Sequence, residues 1–219
     1  MRKTVASIVA ALASAGFLAG FTSAVQAQDA AAGAKKAAMC IGCHNIPRYQ
    51  ASFPEVHKVP MIAGQNAKYI AAALAAYKKG DRKHPTMRGI AVSLSDQDMA
   101  DLAAYYEAQG QGEAAPKTVP APSAAVAELL KKTNCASCHG ENFSTPIDAS
   151  YPKIAGQHAD YLYVALKSYT LDNNPNIGRN NAIMSGMARQ YTPAQLKELA
   201  NYIGSLHGEL ATVAQPSFK

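Results

Sequence analysis

The sequence predicts an all-α protein built from two tandem, similar helical units. Three observations carry this. The chain repeats itself at a nearly constant offset, apolar residues recur at helical spacing behind capping signals, and no segment alternates apolar and polar residues as a half-buried strand would.

The elements follow in order. Residues 1–27 read as a leader: Met1-Arg2-Lys3 is a basic start, Thr4 to Ala24 is Ala-rich and apolar, and Val25-Gln26-Ala27 has the small-x-small pattern of a cleavage site. Cleavage is expected after Ala27. The rival is an uncleaved membrane anchor. The Ala, Ser and Gly content makes the run only weakly apolar, which favours removal, and no second run of spanning length follows. A short helix over Ala30–Met39 leads into Cys40-Ile-Gly-Cys43-His44. Ser95-x-x-Asp98 then looks like a helix start, with Met99, Leu102, Ala103 and Tyr106 as an i, i+3, i+4, i+7 stripe behind it. The Pro-, Gly- and Ala-rich stretch Gly110–Pro122 reads as an extended linker. Beyond it a helix over Ser123–Asn134 leads into Cys135-Ala-Ser-Cys138-His139. Thr192-x-x-Gln195 precedes a second stripe of Leu196, Leu199, Ala200 and Ile203. The expected domains are 28–110 and 123–219, joined by 111–122, each with about three main helices.

The repeat is ordered. The two Cys motifs align at an offset of 95, Pro60-Met-Ile-Ala-Gly64-Gln65 aligns with Pro152-Lys-Ile-Ala-Gly156-Gln157 at 92, and Leu94-Ser95-Asp96 aligns with Tyr191-Thr192-Pro193 at 97. The changes of offset imply three extra residues after the first motif in repeat one, and five around Asp172–Asn181 in repeat two.

Composition narrows the class. With 48% hydrophobic and 16% charged residues the chain is globular rather than disordered. Aromatic residues are only 7% and Trp is absent, so a core of side chains alone would be thin and a large buried non-protein group would help fill it. The formal charge of +6 falls to +4 without Arg2 and Lys3. Neither half carries a Lys/Arg run longer than two, so nucleic-acid binding has little support.

The Cys-x-x-Cys-His motifs carry the chemistry. Two thiols one helical turn apart can add to the two vinyl groups of a haem, and the adjacent imidazole then reaches the iron from the same side. Zinc would need two further ligands per site, and no Cys remains while no spare His repeats. A redox dithiol would want a βαβ setting, which the pattern lacks. Two covalently bound haem c groups are therefore expected, on Cys40, Cys43, Cys135 and Cys138, with His44 and His139 as iron ligands.

The repeat also points to the opposite iron ligand. Met87 falls on Met184 at offset 97, whereas Met187 falls on Ile90. Met39, Met61 and Met99 fall on Asn134, Lys153 and Leu196, and His57, His84, His158 and His207 have no matching His. Those residues read as packing, surface or capping groups. Met187 stays open as an alternative to Met184, because three residues put it on nearly the same helical face.

The chain resembles the class I c-type cytochromes, specifically the diheme cytochrome c4 family. The resemblance covers 29–210 and rests on the two Cys motifs, the two Pro-x-Ile-Ala-Gly-Gln segments, Met87-x6-Leu94-Ser95-Asp96 and Leu102-Ala-Ala-Tyr105-Tyr106. It implies two tandem class I cytochrome c-like domains, each a small helical unit around one covalent haem. It also implies that the Pro60 and Pro152 carbonyls accept from the free ring N–H of His44 and His139. That agrees with the general rule that a metal-bound imidazole donates its other N–H to a nearby acceptor. Three departures stand out: Asn45 follows His44 where Gly140 follows His139, the loop Ile46–Val59 is long, and repeat two has Tyr191-Thr192-Pro193.

His/Met ligation leaves the iron no vacant position for substrate and favours electron transfer. The expected function is that of a periplasmic electron carrier in a respiratory chain, with no catalytic residues. Implied partners are a quinol-cytochrome c reductase, a terminal oxidase or a dehydrogenase, and peripheral membrane association is compatible with this. The alternatives are a haem-bearing, electron-accepting subunit of a flavoprotein dehydrogenase complex, or a diheme enzyme. A thiosulfate-oxidising enzyme of this architecture would use a Cys iron ligand, and every Cys here is already assigned to haem attachment.

Overall fold

In the computed structural model, which describes residues 27–110 and 114–215, helices begin where short polar side chains can take up free backbone N–H groups. The expected leader lies outside the described residues except for Ala27, as do 111–113 of the expected linker and 216–219. Asp29 accepts from the Ala31 and Ala32 N–H groups and opens α1 (Ala30–Lys36). The chain breaks at Ala37 and resumes as α2 (Ala38–His44), so the one helix expected over Ala30–Met39 is two. A small hairpin of β1 (Gln50–Ala51) and β2 (His57–Lys58) follows. Then come α3 (Ala67–Lys79), β3 (Arg82–Lys83), α4 (Pro85–Ala91) and α5 (Asp96–Ala108). Ser95, expected as a helix start, forms a reciprocal capping box with Asp98.

The second unit repeats the order without a hairpin among its described elements: α6 (Ala124–Thr133), α7 (Ala136–His139), α8 (Ala159–Ser168), β4 (Gly178–Arg179), α9 (Ala182–Ala188) and α10 (Pro193–Ser205). Thr192 and Gln195 close the matching capping box. Each unit thus has five described helices: two of thirteen residues and three of seven in unit one, and three of ten to thirteen with two shorter ones in unit two. The described strands are two residues each, too short to leave a period in the sequence.

Both predicted stripes are core. Met99, Leu102, Ala103 and Tyr106 are buried against Ile70 and Leu74 of α3. Leu196 and Leu199 pack with Val126 of α6, while Ala200 and Ile203 pack with Leu162 of α8. Helix α1 crosses α5 so closely that a Cβ at Gly33 would strike the Asp101 carbonyl oxygen and the Tyr105 Cβ. Lys36 locks this crossing with ion pairs to Asp98 (2.7 Å) and Asp101 (2.8 Å).

The two units are joined by more than the linker. β3 pairs antiparallel with β4, Arg82 opposite Arg179 and Lys83 opposite Gly178. The hairpin of unit one lies on α8: the Lys58 N–H and Nζ both donate to Asp160 Oδ2 at 3.1 Å, and Lys167 Nζ lies 2.7 Å from Glu55 Oε1. The described part of the linker runs along unit two. Pro116 and Pro120 carbonyls accept from Asn142 Nδ2 (3.2 Å) and the Tyr202 hydroxyl (2.9 Å). The five extra residues of repeat two fall before β4, and an ion pair from Asp172 to Arg189 ties that loop to the end of α9.

Candidate haem-binding sites

Helices α2 and α7 end on the histidines of the two Cys motifs, which puts each pair of thiols one turn apart on one face. All four cysteines are free of disulfides. Burial pushes the Cys40 and Cys135 thiols up. His44 Nδ1 lies 2.9 Å from the Pro60 carbonyl oxygen, and His139 Nδ1 lies 3.0 Å from that of Pro152. A carbonyl can only accept, so Nδ1 carries the proton in both rings and Nε2 keeps its lone pair. Burial lowers both histidine pKa values, only partly countered by the proline carbonyls; Arg82 lowers that of His44 further. Neutral imidazoles with a free Nε2 are what an iron requires.

The two methionines occupy equivalent positions. His84 caps α4 and its ring accepts from the Met87 N–H at 3.5 Å; Asn181 caps α9 and accepts from the Met184 N–H at 2.9 Å. Each methionine is thus the third residue of a seven-residue helix. Met184 is partly buried, whereas Met187, one turn on, is 36% exposed.

A single cavity of about 560 Å³ brings the two sets together. Cys40, Cys43, His44 and Met87 line it from unit one, and Cys135, Cys138, His139 and Met184 from unit two. Met39, Met61 and Met187 also reach it, while Met99 stays in the helical core. The unmatched histidines divide: His84 is a cap and His207 is exposed, but His57 is buried, a correction to its reading as a surface or capping group. Its Nδ1 is held 2.8 Å from the Glu55 carbonyl oxygen inside the hairpin.

Other residues at the cavity escaped the motif reading. Arg82 Nη1 donates to the Tyr69 hydroxyl (3.1 Å) and Nη2 to Tyr161 (2.8 Å), while Arg179 Nη2 donates to Tyr161 at 3.0 Å. Burial alone would raise the Tyr161 phenol, but the two guanidiniums more than offset it and hold the pKa below the usual tyrosine value. The signal was present, since Arg82 and Arg179 repeat at the same offset of 97 as the methionines. Asn45, in the place of Gly140, is buried and ties unit one to the end of the chain: its Oδ1 accepts from the Tyr106 hydroxyl (3.2 Å) and its Nδ2 donates to the Val213 carbonyl (2.6 Å).

This donor set fits haem. Among the described residues no group of three or more His, Cys, Asp or Glu could hold a bare metal ion. One repeat-related His and Met pair per unit lines the cavity, and a metal held by such a pair alone would need four further donors, as a macrocycle would supply. Arg82 and Arg179 have no carboxylate partner among the described residues, and Arg82 Nε is buried without any partner. Those donors suit the acidic edge of the same group.

The cytochrome c family model matches residues 30–108 and again 123–207. Cytochrome c4 of Azotobacter vinelandii is 33% identical over 200 residues, covering 83% of this chain and 90% of that protein. A thiosulfate dehydrogenase electron acceptor of Stutzerimonas stutzeri is 31% identical over 186 residues, covering 80% of this chain and 82% of that one. The crystal structure of reduced recombinant cytochrome c4 from Pseudomonas stutzeri superposes with a TM-score of 0.63 at 30% identity, covering 83% of this chain and all of that one. With a complete Cys-x-x-Cys-His set in each helical unit, the chain belongs to the diheme cytochrome c4 family of class I c-type cytochromes, electron-transfer proteins of two tandem domains with a covalent haem c in each.

Proposed function

We propose that the chain is an exported, periplasmic electron carrier of a respiratory chain, not an enzyme, with the leader 1–27 removed and domains at 28–110 and 123–219 joined by 111–122. Cys40, Cys43, Cys135 and Cys138 hold the thioethers. His44 with Met87, and His139 with Met184, are the axial iron ligands, and Pro60 and Pro152 orient the histidines. The observation that carries this reading is the single cavity lined by both complete donor sets. Haem would supply a ferric/ferrous couple, and a His and a Met both holding its iron would leave substrate no place on the metal. The buried His/Pro pairs hold the imidazoles in one tautomer, so little needs to rearrange when an electron arrives or leaves. Among the described residues no helix is long and apolar enough to cross a membrane, which suits a protein that meets its partners at their exposed surfaces.

A redox-titrated visible spectrum of the purified protein tests the reading. It should show two c-type haems and a weak far-red band from Met sulfur on ferric iron. Carbon monoxide should bind the reduced protein slowly, because Met must leave first. Rapid stoichiometric binding at one haem would overturn the carrier assignment in favour of a catalytic one.

The Stutzerimonas relative favours a second reading, in which the electron donor is a dehydrogenase and this chain its electron-accepting partner. Co-purification with a dehydrogenase, and a flavin signature if that enzyme is a flavoprotein, separates this from a chain fed by quinol-cytochrome c reductase and emptied by a terminal oxidase.

A further inference from the structure

The glutamine that ends each Pro-x-Ile-Ala-Gly-Gln segment bonds to the other domain as well as to its own. Gln157 reaches across to Met61: the Met61 N–H donates to its Oε1 at 3.0 Å, and its Nε2 donates to the Met61 carbonyl at 2.8 Å. Gln65 does the same to Lys153, accepting from its N–H at 2.9 Å and donating to its carbonyl at 2.9 Å. Each Oε1 also accepts from the next residue's own N–H, Asn66 or His158, at 3.0 Å. Both residues are 4% exposed, so their amides have little access to water. Two N–H donors converging on one atom identify it as the oxygen and fix the amide orientation.

The peptide groups they hold matter. The Met61 N–H belongs to the same peptide unit as the Pro60 carbonyl, and that carbonyl accepts from His44. The chain of bonds runs from His44 Nδ1–H to the Pro60 carbonyl, through that peptide to the Met61 N–H, and on to Gln157 of the other domain. The second runs from His139 to Pro152, through the peptide to the Lys153 N–H, and on to Gln65. A peptide whose N–H is bonded to a good acceptor is a better acceptor at its own oxygen, an effect of roughly 10–30% per bond. It is also held against rotation, which sets the plane of the imidazole it faces.

We propose that Gln65 and Gln157 are positioning residues that act across the domain boundary, each tuning the iron of the opposite domain through the proline peptide that its histidine donates to. The inference rests on the assignment of His44 and His139 as iron ligands. A histidine with a stronger Nδ1–H acceptor is more basic toward the iron and favours its ferric state. Losing the glutamine should therefore raise the potential of the opposite haem.

The test measures both potentials, and the hyperfine-shifted NMR signals of each haem and its histidine Nδ1–H, in the full-length oxidised holoprotein. Gln157→Leu should raise the potential and move the signals of the haem held by His44, leaving the other near its wild-type value; Gln65→Leu should do the reverse. Gln157→Glu and Gln65→Glu keep the acceptor oxygen and add negative charge at the end of the chain, so above neutral pH they should lower the potential of the opposite haem. If a Leu variant fails to retain haem, the Glu variant alone decides. A change confined to the mutated residue's own haem, an equal change at both, or no change overturns the proposal. A wild-type protein lacking two sets of histidine signals overturns the ligand assignment instead, which keeps the two failures distinct.

Discussion

Removing one helix cap should loosen one iron ligand and leave the other alone. Helix α9 has only seven residues, fewer than two full turns, so it holds little stability of its own. Its start depends on Asn181, whose Oδ1 accepts from the Met184 N–H at 2.9 Å. Replacing such a cap by Ala costs typically about 1 kcal/mol, within a range of about 0.5–2. If Met184 leaves the iron when the first turn of α9 frays, 1 kcal/mol multiplies the released fraction by about five. Asn181→Ala should then speed carbon monoxide binding to the reduced haem of domain two about fivefold, with a matching gain in imidazole affinity of the oxidised form. The haem of domain one should not change. The corresponding bond in α4, from the Met87 N–H to the His84 ring, is 3.5 Å long and therefore weaker, so His84→Ala should have a smaller effect on its own haem. Stopped-flow measurements that resolve the two haems decide the matter. An unchanged rate at domain two, or an equal rise at both haems, refutes the link between cap and ligand. Loss of the far-red band in Met187→Ala but not in Met184→Ala would show that the ligand sits one turn further along.

Three further outcomes are expected. Gly33→Ala pushes a methyl into the backbone of α5, where no flexible side chain can yield, and should lower stability to denaturant by about 1–3 kcal/mol without altering the haem spectrum. Lys36 holds the Asp98 and Asp101 carboxyls below their usual range, so its contribution is present above about pH 4 and lost as pH falls through the lower folded values. Lys36→Met should thus be less stable than the parent near neutrality and converge with it in acid; parallel stability curves down to pH 2 would contradict this. Replacing both Cys135 and Cys138 by Ala should leave one haem per chain that resists acid–acetone extraction, counted by pyridine haemochrome absorbance.

Sequence legibility followed the range of the interactions. The capping boxes at Ser95 and Thr192 and the buried stripes behind them are local and periodic, and the structure shows them at the expected residues. The common register of Met87 and Met184 was legible because the repeat preserves the distance from each methionine to the next helix start. The break at Ala37 was not, because Lys35 to Ala38 contains no Gly or Pro; Ala37 is fully buried, and tertiary packing makes the break. The pairing of β3 with β4 joins segments almost a hundred residues apart through two residues each, which leaves no pattern. Burial of His57 depends on a hairpin folding onto another domain's helix, and Gln65 and Gln157 find their partners only once both domains exist.

The bonds between the halves have one further property. Gln65 meets the residue after Pro152 while Gln157 meets the residue after Pro60, and Arg82 stands opposite Arg179. Contacts in which i touches j and j touches i are those of an isologous dimer related by a two-fold axis. One polypeptide here contains a self-complementary interface that two identical subunits would otherwise make. Identical subunits are bound to change together, since one substitution appears in both. Joined in tandem, the halves keep the symmetric contact and are free to differ elsewhere: His84 caps one methionine helix and Asn181 the other, and Asn45 follows one histidine where Gly140 follows its counterpart. Symmetry breaking that reaches the surroundings of the two irons gives the two electron sites distinct environments within one shared architecture.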